Sequence, residues 1–72
     1  MSTAVYGARN KIKAKVTDIK SDSIMSQVNF DTPSGQMSSV LNTESVEEMK
    51  LKLGDEVHLI IKAIHVLPVK NA

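Results

Sequence analysis

Residues 37–64 read MSSVLNTESVEEMKLKLGDEVHLIIKAI, and their hydrophobic period changes twice. Residues 37–42 suit an extended strand. From Thr43 to Leu53 the apolar Val46, Met49, Leu51 and Leu53 fall among Glu47, Glu48, Lys50 and Lys52, a pattern that predicts one or two helical turns. Ser45 and Glu48 stand at capping-box spacing, and Gly54 with Asp55 ends the element. From Glu56 to Ile64 alternation returns. Val57, Leu59, Ile61 and Ala63 share one face, and His58, Ile60, Lys62 and Ile64 the other.

Working outward, Ile12, Ala14 and Val16 alternate with Lys11, Lys13 and Lys15, the period of a half-buried strand. The alternation breaks at Asp18 and Ile19, which marks a bulge or the strand's end. Residues 21–23 read as a turn, and Ile24, Val28 and Phe30 then share a face opposite Gln27 and Asn29, giving a second strand. Residues 31–35 carry the turn chemistry of Pro33 and Gly35. Beyond Ile64 a last short strand is expected over residues 66–69. Pro68 cannot donate to a ladder, so that strand belongs at an edge or has the proline on its unpaired side. Five short strands with one helix between the third and fourth is the order of an all-β, OB-like five-stranded barrel, with other all-β arrangements still open. No repeat, low-complexity tract or linker interrupts the chain.

With 72 residues the chain makes one domain, and a domain this short buries only roughly 60% of the surface its unfolded chain exposes. Such domains need a staple. There is no cysteine, and His58 and His65 without thiols do not make a structural zinc site, so no metal ligands are expected and self-association is the favoured remedy. Nine basic against eight acidic residues give a formal charge of +1, too little to draw the whole chain to nucleic acid or membrane. The longest apolar run, residues 59–61, is far short of a span, and residues 1–8 lack a signal-peptide pattern. The expectation is a soluble cytoplasmic protein in which any anion site is local.

Catalysis has little support, because no nucleophile, base and orienting carboxylate stand at a recognisable spacing, and the chain is read as no enzyme. An OB barrel that binds single-stranded nucleic acid needs aromatic platforms along a basic groove. Only Tyr6 and Phe30 are aromatic, and Phe30 shares an apolar face. The row Lys11, Lys13, Lys15, with Lys20 beyond, suits a solvated face better than a phosphate track. Three other places can serve an anion. Gly7 or Ala8 lets backbone N–H groups approach a ligand, and Arg9 adds a planar donor fork. Residues 42–45 sit at a helix start, whose first N–H groups lack internal partners, although plain capping by Ser45 or Thr43 is the simpler use. Lys62 shares a strand face with Ile60 and Ile64, a mixture that points to burial against another subunit and hence to a counter-charge, from an oxyanion or a neighbour's glutamate.

Three segments in this order and spacing, GARNKIKAKV, SVLNTESVEEMKLKLGDEV and IKAIHVLPVK, resemble the molbindins, the small molybdenum-pterin-binding (Mop) proteins built on a TOBE domain. The resemblance covers the chain from Gly7 onward, giving a single domain over residues 7–72 after an extension of residues 1–6. It implies an OB-like domain assembled into dimers and then a hexamer, a trimer of dimers, with molybdate or tungstate held between subunits for storage or homeostasis. The family's ligand positions fall on Gly7, Arg9, Asn42, Ser45, Lys62 and Ala63. Three departures stand out. Gly7 replaces a common serine and loses its hydroxyl, Asn42 stands where threonine is common, and Ile64 and His65 replace small polar residues, which implies a reshaped site there or none. The competing readings are an OB-type single-stranded nucleic-acid binder and an oligomeric interaction module with degenerate sites.

Overall fold

A computed structural model describes residues 10–71. Strands β1 (Asn10–Ser21), β2 (Met25–Thr32) and β3 (Gly35–Asn42) are followed by helix α1 (Thr43–Met49), strand β4 (Glu56–Ile61) and one 3-10 turn, Ala63–His65. The strands form one antiparallel sheet in the order β3-β2-β1-β4.

β1 serves two partners in succession. Residues 10–15 pair with β4, from Asn10 opposite Ile61 to Lys15 opposite Glu56. Residues 15–21 pair with β2, with Val16 opposite Phe30 and Asp18 opposite Asn29. Thr17 is therefore the extra residue of a bulge, and the break in alternation marks that bulge, the strand continuing beyond it. The inserted residue shifts the inward positions from Ala14 and Val16 to Ile19, so both halves of β1 face one core. Gly54 locks the crossing. Its N–H donates to the Val16 carbonyl at 2.8 Å, and its φ of 89° is a left-handed conformation that glycine takes without strain.

The core holds Ala14, Val16, Val28, Phe30 and Val46, with Ile19, Leu41, Leu51, Val57 and Leu59 packed around it. Phe30 and the even positions of β1 lie where the alternation puts them. Ile24 does not. It precedes β2, in a turn where the Asp22 carboxylate accepts from the Ile24 and Met25 N–H groups at 2.8 and 2.7 Å, and this turn leaves the Ile24 side chain in solvent. Ser26 occupies the inward position instead. Its buried hydroxyl bonds Ser21 Oγ at 2.6 Å and Thr43 Oγ1 at 2.8 Å, and Thr43 Oγ1 in turn donates to the Asp22 carbonyl at 2.8 Å.

The helix also ends earlier than its periodicity suggests. Lys50 turns left-handed at φ 55°, and the Lys50 and Leu51 N–H groups return to the Glu47 and Val46 carbonyls, closing the end after Met49. Leu51 packs on the core while Leu53 stays exposed.

The fifth strand expected over residues 66–69 does not form within the chain, and β4 stops at Ile61, short of Ile64. The cause is the 3-10 turn. His65 N–H donates to the Lys62 carbonyl at 2.9 Å and Val66 N–H to the Ala63 carbonyl at 3.2 Å, which diverts the chain from the ladder. The sheet is thus four-stranded and open, with β3 and β4 as edges. Among the described residues ten large hydrophobic side chains are exposed and five hydrophobic residues are buried, an inversion that leaves a single copy short of core.

Truncating Phe30→Ala should cost about 3 to 5 kcal/mol of folding free energy at fixed protein concentration, the range for a buried phenylalanine. A shift below about 1 kcal/mol in urea unfolding would contradict its place in the core. The Met25 and Ile24 N–H bonds hold the Asp22 carboxyl below its ordinary value. A lowered folded-state pKa stabilises at neutral pH, and that contribution disappears as pH falls through the folded value. Asp22→Ala should lower the melting temperature at pH 7 and flatten its acid dependence below about pH 4. Parallel acid limbs in the two proteins would remove this turn from the account.

Candidate oxyanion site

Gly7, Ala8 and Arg9 lie outside the described residues. The first described residue, Asn10, pairs with Ile61, and its side-chain Nδ2 donates to the Ile61 carbonyl at 3.4 Å. The start of β1 is thereby tied to the end of β4, and Lys62 follows at once. Lys62 is extended, exposed and placed at the head of the 3-10 turn, with Ala63 the first residue of that turn. The ion pairs given among the described residues, Lys13 with Glu56 at 3.9 Å and Lys52 with Asp55 at 3.8 Å, do not involve it. Within one copy its face of β4, with His58 and Ile60, is open rather than covered.

Asn42 and Ser45 sit where β3 passes into α1. The cap is Asn42 itself, whose Oδ1 accepts from the Ser45 N–H at 2.8 Å, so the helix start is satisfied neither by Ser45 nor by Thr43. Thr43 is engaged elsewhere, its N–H on the Ile24 carbonyl at 2.8 Å and its hydroxyl on the Asp22 carbonyl. Asn42 is among the residue types that cap best, whereas sequence reading assigned the cap to Ser45 or Thr43. With Oδ1 accepting from Ser45, the exposed Asn42 amide keeps its NH₂ as a donor. The donors remaining are that NH₂, the Glu44 N–H and the Ser45 hydroxyl, with the exposed Glu44 carboxylate beside them.

The two groups stand far apart. Asn42 pairs with Met25, beside the end of β1 where Ser21 meets Ser26, whereas Lys62 follows Ile61 at the beginning of β1. A 12-residue strand has a contour of about 36 Å at roughly 3.3 Å per step. Hydrogen bonds to one ion reach about 3 Å. Lys62 and Ala63 therefore stand at the opposite end of β1 from Asn42 and Ser45.

Sequence reading overlooked Asn10 as the clamp on β4 and the hydroxyl chain through Ser21, Ser26 and Thr43. For Ser26 a signal existed, since it occupies the inward step two residues before Val28. The remaining chemistry is sparse. Among the described residues no three His, Cys, Asp or Glu gather as a metal site, and no helix is long and apolar enough to cross a membrane. Phe30 is in the core and offers no face to a base, which removes the one described aromatic from a nucleic-acid platform.

Comparison with known proteins agrees with this architecture. The TOBE domain model matches residues 7–68. A probable molybdenum-pterin-binding protein of Haemophilus influenzae is 38% identical over 61 residues, covering 83% of this chain and 88% of the relative. Among solved structures, a molybdate-binding protein from Sporomusa ovata superposes with a TM-score of 0.88 at 25% identity, covering 93% of this chain and all of the other. The cytoplasmic molybdate-binding protein ModG, crystallised with molybdate bound, gives 0.77 at 28% identity over 83% of this chain and 43% of its own. A family match over most of the chain, the relative's identity and the shared β-sheet with its single helix lead to one assignment: the chain belongs to the molbindin family, the molybdenum-pterin-binding proteins built on a TOBE domain.

Proposed function

We propose that this protein binds molybdate or tungstate at junctions between its own copies, as a cytoplasmic store or buffer of molybdenum. The observation that carries this reading is the separation of the donor groups along β1. Lys62 and Ala63 belong to one end of a copy, and Asn42 and Ser45 to the other, while Gly7, Ala8 and Arg9 immediately precede the first residue of β1 in the sequence. Donors so placed meet on one small ion only when they come from different subunits. A homo-oligomer, in the form of a hexamer built as a trimer of dimers, supplies such junctions and covers the apolar surface that a single copy leaves open. The molybdate-bound ModG and the relative's description support the choice of ion, and ModG's description supports the compartment.

The function is recognition without turnover. A tetrahedral dianion accepts at every oxygen, so its site must offer donors: the Arg9 fork, the Lys62 ammonium, the Asn42 NH₂, the Ser45 hydroxyl and backbone N–H groups at Gly7, Ala8 and Ala63. Phosphate carries a proton for part of the time at neutral pH, and a site of donors alone has no acceptor for it. Sulfate matches molybdate in charge and shape, so pocket size separates the two. Tungstate is nearly the size of molybdate and is held alike.

Binding measured by equilibrium dialysis against molybdate in excess sulfate tests the reading. Arg9→Ala and Lys62→Ala should each weaken binding by about 2 to 5 kcal/mol, the range for removing one partner of a desolvated charged pair. Native mass spectrometry should find the ion only on assembled species. Unchanged affinity in both variants removes Arg9 and Lys62 from the site, and an assembled protein that retains no oxyanion at micromolar concentration ends the proposal.

A further inference from the structure

The inner stripe of β1 begins on a polar residue. Asn10, Ile12, Ala14 and Val16 occupy one face of the strand, and Ala14 and Val16 are buried in the core. An apolar side chain at position 10 would simply lengthen that stripe. Asn10, half-buried, instead sends its amide across the ladder to the carbonyl of its register partner Ile61 at 3.4 Å. That carbonyl lies in the same peptide plane as the Lys62 N–H. The bond therefore acts on the peptide from which Lys62 leaves the strand. Among the described residues the β1–β4 ladder ends at this pair, and the Lys62 side chain forms no cap bond on the 3-10 turn that follows. What holds the turn is the pair of bonds from the His65 N–H to the Lys62 carbonyl and from the Val66 N–H to the Ala63 carbonyl. Arg9 precedes Asn10 in the sequence, so the clasp joins the neighbour of one candidate donor to the neighbour of another.

We propose that Asn10 is a positioning residue for the oxyanion site: its amide fixes the Ile61–Lys62 peptide and so aims the Lys62 stem, acting through that lysine rather than on the ion. The inference rests on the reading that Lys62 binds the oxyanion. A long flexible stem loses rotamer freedom when its ammonium is held on a ligand, and a wandering main chain at its root adds to that loss. A neighbouring side chain that anchors the root removes the second part before the ion arrives. The residue type suits the task. The Ile61 carbonyl only accepts, so the partner must bring an N–H or O–H, and an amide on a short stem does so without introducing charge beside the core. At 3.4 Å the bond is long, so its effect is on aim and is modest in size.

Four full-length proteins test this: the unaltered chain, Asn10→Leu, Lys62→Ala and the double variant, each dialysed against molybdate. Leucine keeps the approximate shape of asparagine and continues the apolar stripe while deleting the donor. Asn10→Leu should weaken molybdate binding about three- to tenfold, the loss of one ordinary hydrogen bond, with the ligand-free melting temperature and assembly mass unchanged or raised. In the Lys62→Ala background the same substitution should cost nothing further. Without ligand, hydrogen exchange at the His65 and Val66 amides should quicken several-fold in Asn10→Leu while that of Val16 stays as it was. Asn10→Ser, whose hydroxyl sits one atom closer to the main chain and falls short of Ile61, repeats the test with a polar side chain and should show the same losses. Unchanged affinity in both Asn10 variants, an equal loss with and without Lys62, or unaltered exchange at His65 and Val66 each overturns the proposal. An unaltered chain that binds molybdate beside indifferent Asn10 variants removes the positioning role alone, whereas an unaltered chain that takes up no molybdate ends the oxyanion reading and the positioning role together.

Discussion

The main chain of Val16 is bonded to the turn that precedes β4, its N–H donating to the Asp55 carbonyl at 2.9 Å and its carbonyl accepting from the Gly54 N–H at 2.8 Å, while β2 lies on its other side opposite Phe30. At this residue β1 hands over from one partner to the other. The bulge at Thr17 then reverses which side chains point inward, so Ala14, Val16 and Ile19 all reach one core from a strand that bends. A straight strand of this length would face Ile19 to solvent and leave Phe30 and Val46 without a common centre. The pairing along β1 places the two groups of candidate donors at its opposite ends, and the order β3-β2-β1-β4 leaves β3 and β4 as edges.

A second constraint runs through hydroxyls. Thr43 Oγ1 gives its proton to the Asp22 carbonyl, so Ser26 must donate to Thr43 and Ser21 to Ser26, one proton per link. Each step is satisfied, which lets a serine sit at 2% exposure between apolar neighbours at little cost. The chain of bonds fixes the first residue of α1 to the turn before β2. Asn42 is thereby held at a set angle to the sheet, and the helix start does not drift relative to the strands that carry the rest of the fold.

Much of this was legible in the residues. The alternation of Ile12, Ala14 and Val16 located the inner face of β1, the shift of period after Asn42 located α1, and the faltering at Asp18 and Ile19 pointed to a bulge or a strand end, which the pairing resolves as a bulge. The misreadings share a cause. Ile24, Leu53 and residues 66–69 are apolar, and apolarity says that a residue wants cover without saying which copy provides it. Ile24 lost its place to an Asp22 turn that uses main-chain bonds, and the last strand to a 3-10 turn held by two N–H groups. The candidate donor residues were picked as residue types. Their distribution over opposite ends of β1 depends on strand pairing, which no local pattern encodes.

The pinned amide of Asn42 carries one more consequence. A threonine hydroxyl at that position would rotate freely, giving a proton to one visitor and taking one from another. With its oxygen accepting from the Ser45 N–H, the amide cannot flip without setting its NH₂ against that N–H, so the NH₂ is the end left to donate. Replacing a swivelling group by a fixed one removes the choice of hydrogen-bond sense at this one position, while the exposed Glu44 carboxylate next in the turn keeps the power to accept.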